Sequence, residues 1–212
     1  MAAEPAGPRI RSFVAVDVDG PARDAVAALL ARCRATGADV AWSRPDALHV
    51  TLTFLGSVEP ERLARLGARL ADVAATQAPF ALALRGVGAF PSLAHPSVLW
   101  IGVDAPALVT LAAAVNGAAA AEGFAAEARA FRPHLTLGRV RRGDRRHRRG
   151  SDRERDTVPA ALRTLLDGAH ATSFGRVDVA EMILFRSDLG AGGARHTALG
   201  RYPLSALRGE DD

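Results

Sequence analysis

Lysine is missing from this chain. All 27 basic residues are arginine, and arginine is abundant alongside alanine, glycine and proline. A GC-rich coding sequence produces that bias, so the arginine excess says less about polyanion binding than its number suggests. The net charge of +4 still favours a polyanionic partner over a cationic one, and guanidinium forks suit phosphate. Cysteine is reduced to Cys33, which excludes an internal disulfide and fits a reducing, cytoplasmic setting. It lies in the helix-like run ALLARCRAT, where a buried small residue is the default and a catalytic thiol is not expected. No apolar run of about 18 residues is present to span a bilayer, and MAAEPAGPRIR lacks a basic-then-apolar leader. There is no GxGxxG or GxxxxGK[ST] phosphate loop, no Gly-x-Ser-x-Gly elbow and no Cys/His cluster at zinc spacing. Neither a cofactor nor a metal is expected.

What the chain does have is one short pattern used twice. His49-Val50-Thr51-Leu52 and His134-Leu135-Thr136-Leu137 each read His, apolar, Thr, apolar. Each sits in a strand-like run, and each is followed by a glycine turn signal, Gly56 or Gly138. Side chains alternate along a strand, so His49 and Thr51 share one face while Val50, Leu52 and Phe54 share the other. His134 and Thr136 repeat the arrangement over Leu135 and Leu137. Imidazole gives and takes protons near neutral pH. Two of them, each beside a hydroxyl, are what a paired acid–base site needs, and the threonines can donate to phosphate oxygens. One imidazole must be neutral and the other protonated, which predicts a bell-shaped pH profile belonging to the pair.

Around these motifs the periodicity predicts strands at 11–18, 40–43, 47–55, 80–87, 97–103, 132–140, 176–185 and 197–204. Helices are predicted from Pro21 to about Gly37 and over 59–75, 105–122 and 158–166. Residues 1–10 read as a disordered tail and 208–212 as a C-terminal one. Residues 141–157, RRGDRRHRRGSDRERDT, cannot build a core and read as a flexible loop, either a solvated insertion or an RNA-backbone contact. Half-polar strands with short crossings point to an antiparallel α+β fold. Trp42 and Trp100 read as core. His95, His147, His170 and His196 carry no motif.

The chain resembles the RNA 2′,3′-cyclic phosphodiesterase / 2′-5′ RNA ligase family of two-histidine (2H) phosphoesterases. The resemblance runs over about residues 10–204. It rests on the opening strand RSFVAVDV and on Trp42-Ser43-Arg44-Pro45 leading into LHVTLTFLG. Phe90-Pro91 followed by VLWIG, and FRPHLTLGR, complete it. The arginine-rich stretch after the second motif is longer than in the family pattern. The resemblance implies one bilobal domain, here 11–207, with two antiparallel sheets related by a pseudo-twofold. Helices would lie outside and the site in the cleft between the sheets. It implies His49 as general acid and His134 as general base, with Thr51 and Thr136 on the phosphate. Arg139 would join them if Gly138 bends the strand, because strict alternation points it away. Phe13 would stack on a base, or else is a buried strand phenylalanine. The implied reaction is hydrolysis of RNA 2′,3′-cyclic phosphate ends, tRNA fragments among them, to 2′-phosphomonoesters by a monomer. A reversible 2′-5′ joining activity could accompany it. The competing readings are a 2H phosphodiesterase of small cyclic nucleotides or 2′-5′ oligonucleotides, and an RNA-binding module with a vestigial site.

Overall fold

In the computed structural model, the residues described are 7–125, 130–141, 158–190 and 193–205. β1 (Ile10–Asp17) leads through α1 (Gly20–Ala35) and β2 (Val40–Trp42) to a single 3₁₀ turn at Pro45–Ala47 and β3 (His49–Val58). α2 (Pro60–Ala75) precedes the β4 (Phe80–Phe90) and β5 (Val98–Asp104) hairpin, α3 (Pro106–Ala121) and β6 (His134–Val140). α4 (Ala160–Gly168), β7 (Ser173–Val179), β8 (Glu181–Gly190) and β9 (Gly193–Pro203) complete the chain. Three helices carry proline in their first turn, where a missing N–H costs nothing. From residue 142 onward the arginine-rich segment falls outside the described residues, as do 1–6 and 206–212. No helix among the described residues is long and apolar enough to cross a membrane.

All strand pairs are antiparallel, in the order β7-β4-β5-β6-β3-β1-β8-β9, with β2 added to β6. The two expected sheets are the two four-stranded halves of this order. They join where β3 meets β6 through one residue pair, Val50 with Leu135. The halves match: β1–α1–β3 in one corresponds to β5–α3–β6 in the other, and each motif strand lies at the centre. Each crossover helix reaches the opposite half, α1 contacting β7 and α3 contacting β3. The helical side holds the main core. Val14 and Val16 of β1, Leu99 and Ile101 of β5, and Leu135 and Leu137 of β6 face Leu30, Leu66, Leu70, Leu108 and Leu111 there. The concave side holds only a small cluster of Phe13, Ala15, Ile183 and Phe185.

The run RVDVAEMILF is not one strand as its apolar alternation suggests. It breaks at Ala180, so β7 pairs with β4 in one half and β8 with β1 in the other. β7 alternates buried and exposed residues, while Met182, Ile183, Leu184 and Phe185 of β8 are all buried because both faces of that strand carry core.

The glycines after the motifs do not end their strands: β3 runs on to Val58 and β6 to Val140. Each motif instead ends in a bulge. On β3, Ala15 pairs with Thr51 and Val14 with Thr53, leaving Leu52 as the extra residue. On β6, Trp100 pairs with Thr136 and Leu99 with Gly138, leaving Leu137 extra. An extra residue flips the alternation beyond it. Each freed carbonyl is recaptured from outside the ladder. Asn116 of α3, the only asparagine of the chain, donates through Nδ2 to the Leu52 carbonyl (3.3 Å) and accepts from the Thr53 hydroxyl (2.8 Å). On the other side the Ser43 N–H donates to the Leu137 carbonyl and its hydroxyl to that of Thr136, both at 2.8 Å. Asn116→Leu leaves two groups unpaired in a partly buried place. It is expected to cost about 1–3 kcal/mol, read as a lower urea midpoint with an unchanged slope. A midpoint equal to wild type would show that water replaces the amide without loss.

Candidate active site

The two motifs meet at the junction of the halves. Val50 and Leu135, the one β3–β6 pair, each follow a histidine and point into the core with no exposure. Continuing that antiparallel register by one residue either way sets Thr136 across from His49 and Thr51 across from His134. The four polar residues therefore form a square on the concave face, with like residues on its diagonals.

Each imidazole is oriented in the same way. The His49 Nδ1–H donates to the Ala47 carbonyl at 2.8 Å, and the His134 Nδ1–H to the Arg132 carbonyl at 2.7 Å. Both acceptors lie two residues upstream. This bond holds the proton on Nδ1 when the ring is neutral, so Nε2 is left as the nitrogen able to accept one. Neither Nε2, nor the hydroxyl of Thr51 or Thr136, has a hydrogen-bond partner among the described residues. Each ring also rests on aromatic neighbours. Phe13 lies under His49 at 4.8 Å between ring centroids, and Phe90 meets His134 edge-on at 5.1 Å.

The two rings differ in surroundings. His49 is crowded by Phe13, Phe185 and His196. Burial pushes its pKa down to about 4, against a smaller upward pull from the Ala47 carbonyl and smaller downward pushes from His196 and His134. At neutral pH the free protein therefore holds His49 uncharged.

Phe13 is 3% exposed and is packed between His49 and Phe185. A base cannot stack on it, so the stacking role is corrected to that of a support beneath the first imidazole. The aromatic that does present a face is Phe54, 60% exposed. Alternation assigns it to the side away from His49. The bulge at Leu52 turns it to the concave side, 6.2 Å from Phe13. Arg139 is its counterpart on β6: each stands five residues after its histidine. Leu137 and Val140 pack against the core, so the exposed Arg139 between them faces the concave side. The bend at this position comes from the Leu137 bulge. Trp100 is likewise not core. It alternates with Leu99 and Ile101, both fully buried on the helical side, so its indole lies on the concave side against Phe90 at 5.2 Å. Gly88 makes this possible, since a Cβ there would stand 2.3 Å from the indole ring. The indole Nε1–H is buried without a partner among the described residues. His196 is the residue that sequence reasoning misses. It stands alone in its segment and reaches the site only because β9 pairs with β8 and β8 with β1.

A bilobal antiparallel α+β half-barrel with a matched imidazole and hydroxyl from each half defines a two-histidine phosphoesterase fold. The chain belongs to the LigT-like phosphoesterase family, whose model matches residues 16–100. It is 42% identical over 134 residues to the RNA 2′,3′-cyclic phosphodiesterase of Archaeoglobus fulgidus, covering 63% of this chain and 74% of that protein. It is 32% identical over 197 residues to the RNA 2′,3′-cyclic phosphodiesterase of Methanothermobacter thermautotrophicus, covering 92% of this chain and 100% of that protein. Among solved structures, a Thermus thermophilus protein superposes with a TM-score of 0.74 at 26% identity, covering 94% of this chain and 100% of its own. The LigT of E. coli, solved with 3′-AMP, does so at 0.69 and 25% identity, covering 94% and 100%.

Proposed function

We propose that this protein hydrolyses RNA 2′,3′-cyclic phosphate ends to 2′-phosphomonoesters, with His49 and His134 carrying the proton transfers. The observation that carries this reading is the matched pair of imidazoles. Each is fixed through Nδ1 to the carbonyl two residues upstream, and each has a threonine hydroxyl beside it on the concave face. The names of the relatives at 42% and 32% identity support the substrate class, and the mononucleotide in the E. coli LigT structure is consistent with it.

In the reaction, His134 takes a proton from water as its oxygen bonds to phosphorus. The bond from phosphorus to the 3′-oxygen breaks, and His49 delivers a proton to that oxygen. His49 is neutral in the free protein, so the proton it delivers is taken up with the substrate: the anionic phosphate beside Nε2 favours the imidazolium. Thr51 and Thr136 donate to the non-bridging oxygens, where charge grows in the transition state. Arg139 adds a cation on the β6 side, and Phe54 offers a face to a neighbouring base. Both halves of the site come from one chain, which suits action as a monomer. Cys33, buried in α1 with its thiol pushed up to about 11 by that burial, suits the reducing cytoplasm. With a 5′-hydroxyl in place of water, the same two proton transfers would join that oxygen to phosphorus as the bond to the 3′-oxygen breaks, leaving a 2′-5′ linkage.

The test is ³¹P NMR of an oligoribonucleotide ending in a 2′,3′-cyclic phosphate, incubated with the protein and EDTA. Conversion to a 2′-phosphomonoester alone is expected. A 3′-phosphomonoester would reverse the assigned regiochemistry, and no conversion would favour the small-nucleotide or binding readings.

A further inference from the structure

His196 touches the first imidazole, and the mechanism above gives it no task. β9 carries it opposite Ser187. Its ring meets His49 edge to face at 5.1 Å and 89°, and Phe13 at 4.9 Å and 80°. Its Nδ1 is buried with no partner among the described residues, an arrangement that costs free energy unless something else is gained by it. A cavity of about 250 Å³ opens against His49 and His196. Its charged groups are Asp17 from β1, Arg44 and Asp46 ahead of β3, and Arg195 and Arg201 from β9, while His134 stands across the cleft on β6. Most of this charge is already matched. Arg44 bonds Asp46 (2.9 Å) and Arg201 pairs with Glu181. Asp17 is held above the ordinary carboxylate range, chiefly by burial. Of the ionisable groups around His49, only His196 is in ring contact with it among the described residues.

We propose that His196 is a positioning residue of this site, one that closes the β8–β9 side of His49 against water and so governs when that imidazole takes up a proton. The inference rests on His49 being one of the two acid–base groups. Burial lowers the pKa of His196 too, so near neutral pH it is an uncharged aromatic wall. Its effect on His49 there is exclusion of water, and repulsion between two imidazolium charges adds to it only in acid. A wall of this kind keeps His49 unprotonated in the empty site, and an anionic substrate then supplies the charge that reverses the balance.

The experiment follows the ring resonances of His49 through a pH titration of ¹⁵N-histidine-labelled protein, assigned with His49→Gln. His196→Ala admits water and is expected to raise the His49 midpoint from about 4 by at least about one unit. The low-pH limb of kcat/KM for a 2′,3′-cyclic oligoribonucleotide is expected to rise with it, because the lower ionisation of a coupled pair sets that limb whichever role its owner has. His196→Phe retains the wall without the charge and is expected to keep the midpoint within about half a unit of wild type. A His49 midpoint unmoved in His196→Ala overturns the proposal, as does a shift in His196→Phe equal to that in His196→Ala. Should His196→Ala fail to fold, His196→Asn is read by the same criteria. The titration needs no turnover, so a wild-type protein inactive on cyclic ends would overturn the proposed reaction and leave this inference to the NMR result.

Discussion

Replacing either His49 or His134 by alanine is expected to lower the rate on a 2′,3′-cyclic phosphate end by about 10²–10⁴-fold, with the fold retained. Both imidazoles lie at the concave surface with Nε2 free of partners among the described residues, so little core is lost with them. In the proposed reaction, what is lost is one proton transfer. Without His134, water attacks with no base to receive its proton. Without His49, the 3′-oxygen departs as an alkoxide. In the proposed reaction the two groups act in one transition state, so the double variant is expected to be no slower than the worse single variant by more than a small factor. Circular dichroism and urea midpoints establish that the variants fold, and ³¹P NMR reads the rate. Full turnover in either single variant would mean that the proton carrier lies elsewhere in the cleft.

The threonines are expected to produce the next largest effect. Thr51→Val and Thr136→Val preserve the β-branched shape that the strand prefers and remove only the hydroxyl. Each hydroxyl is unpartnered among the described residues and stands across the β3–β6 junction from a histidine. Such a donor counts most where negative charge grows during the reaction. A fall of about 10²–10³ in kcat with a smaller change in KM is expected for each variant. The reverse pattern, a raised KM with kcat intact, would assign the hydroxyls to ground-state binding.

Much of this site is legible in the sequence because its central relation is local. His49 with Thr51, and His134 with Thr136, share a face by strand alternation alone, and the structure keeps both pairs. Alternation fails just beyond, at Phe54, because the extra residue at Leu52 reverses the count. Arg139 turns inward for the same reason at Leu137. Nothing in the letters TLTF announces a bulge, and in TLGR the one signal is the glycine, a residue that often marks a bulge in a strand. Its stability comes from Asn116 and Ser43, the one more than 60 and the other more than 90 residues away along the chain. Trp100 reads as core on its composition. It sits on the concave side because Gly88, on the neighbouring strand, makes room for its indole.

Residue chemistry and a two-residue period are enough to say which side chains can move protons, that they come in two matched sets, and that each set lies on one strand face. They do not say that the two sets meet, which takes the Val50–Leu135 pair. Nor do they say that His49 is the more closely packed member of the pair, or that His196 stands against it. Solvation and cross-strand neighbours depend on which strands pair, and RVDVAEMILF, one expected strand that serves two halves of the molecule, does not name its partners.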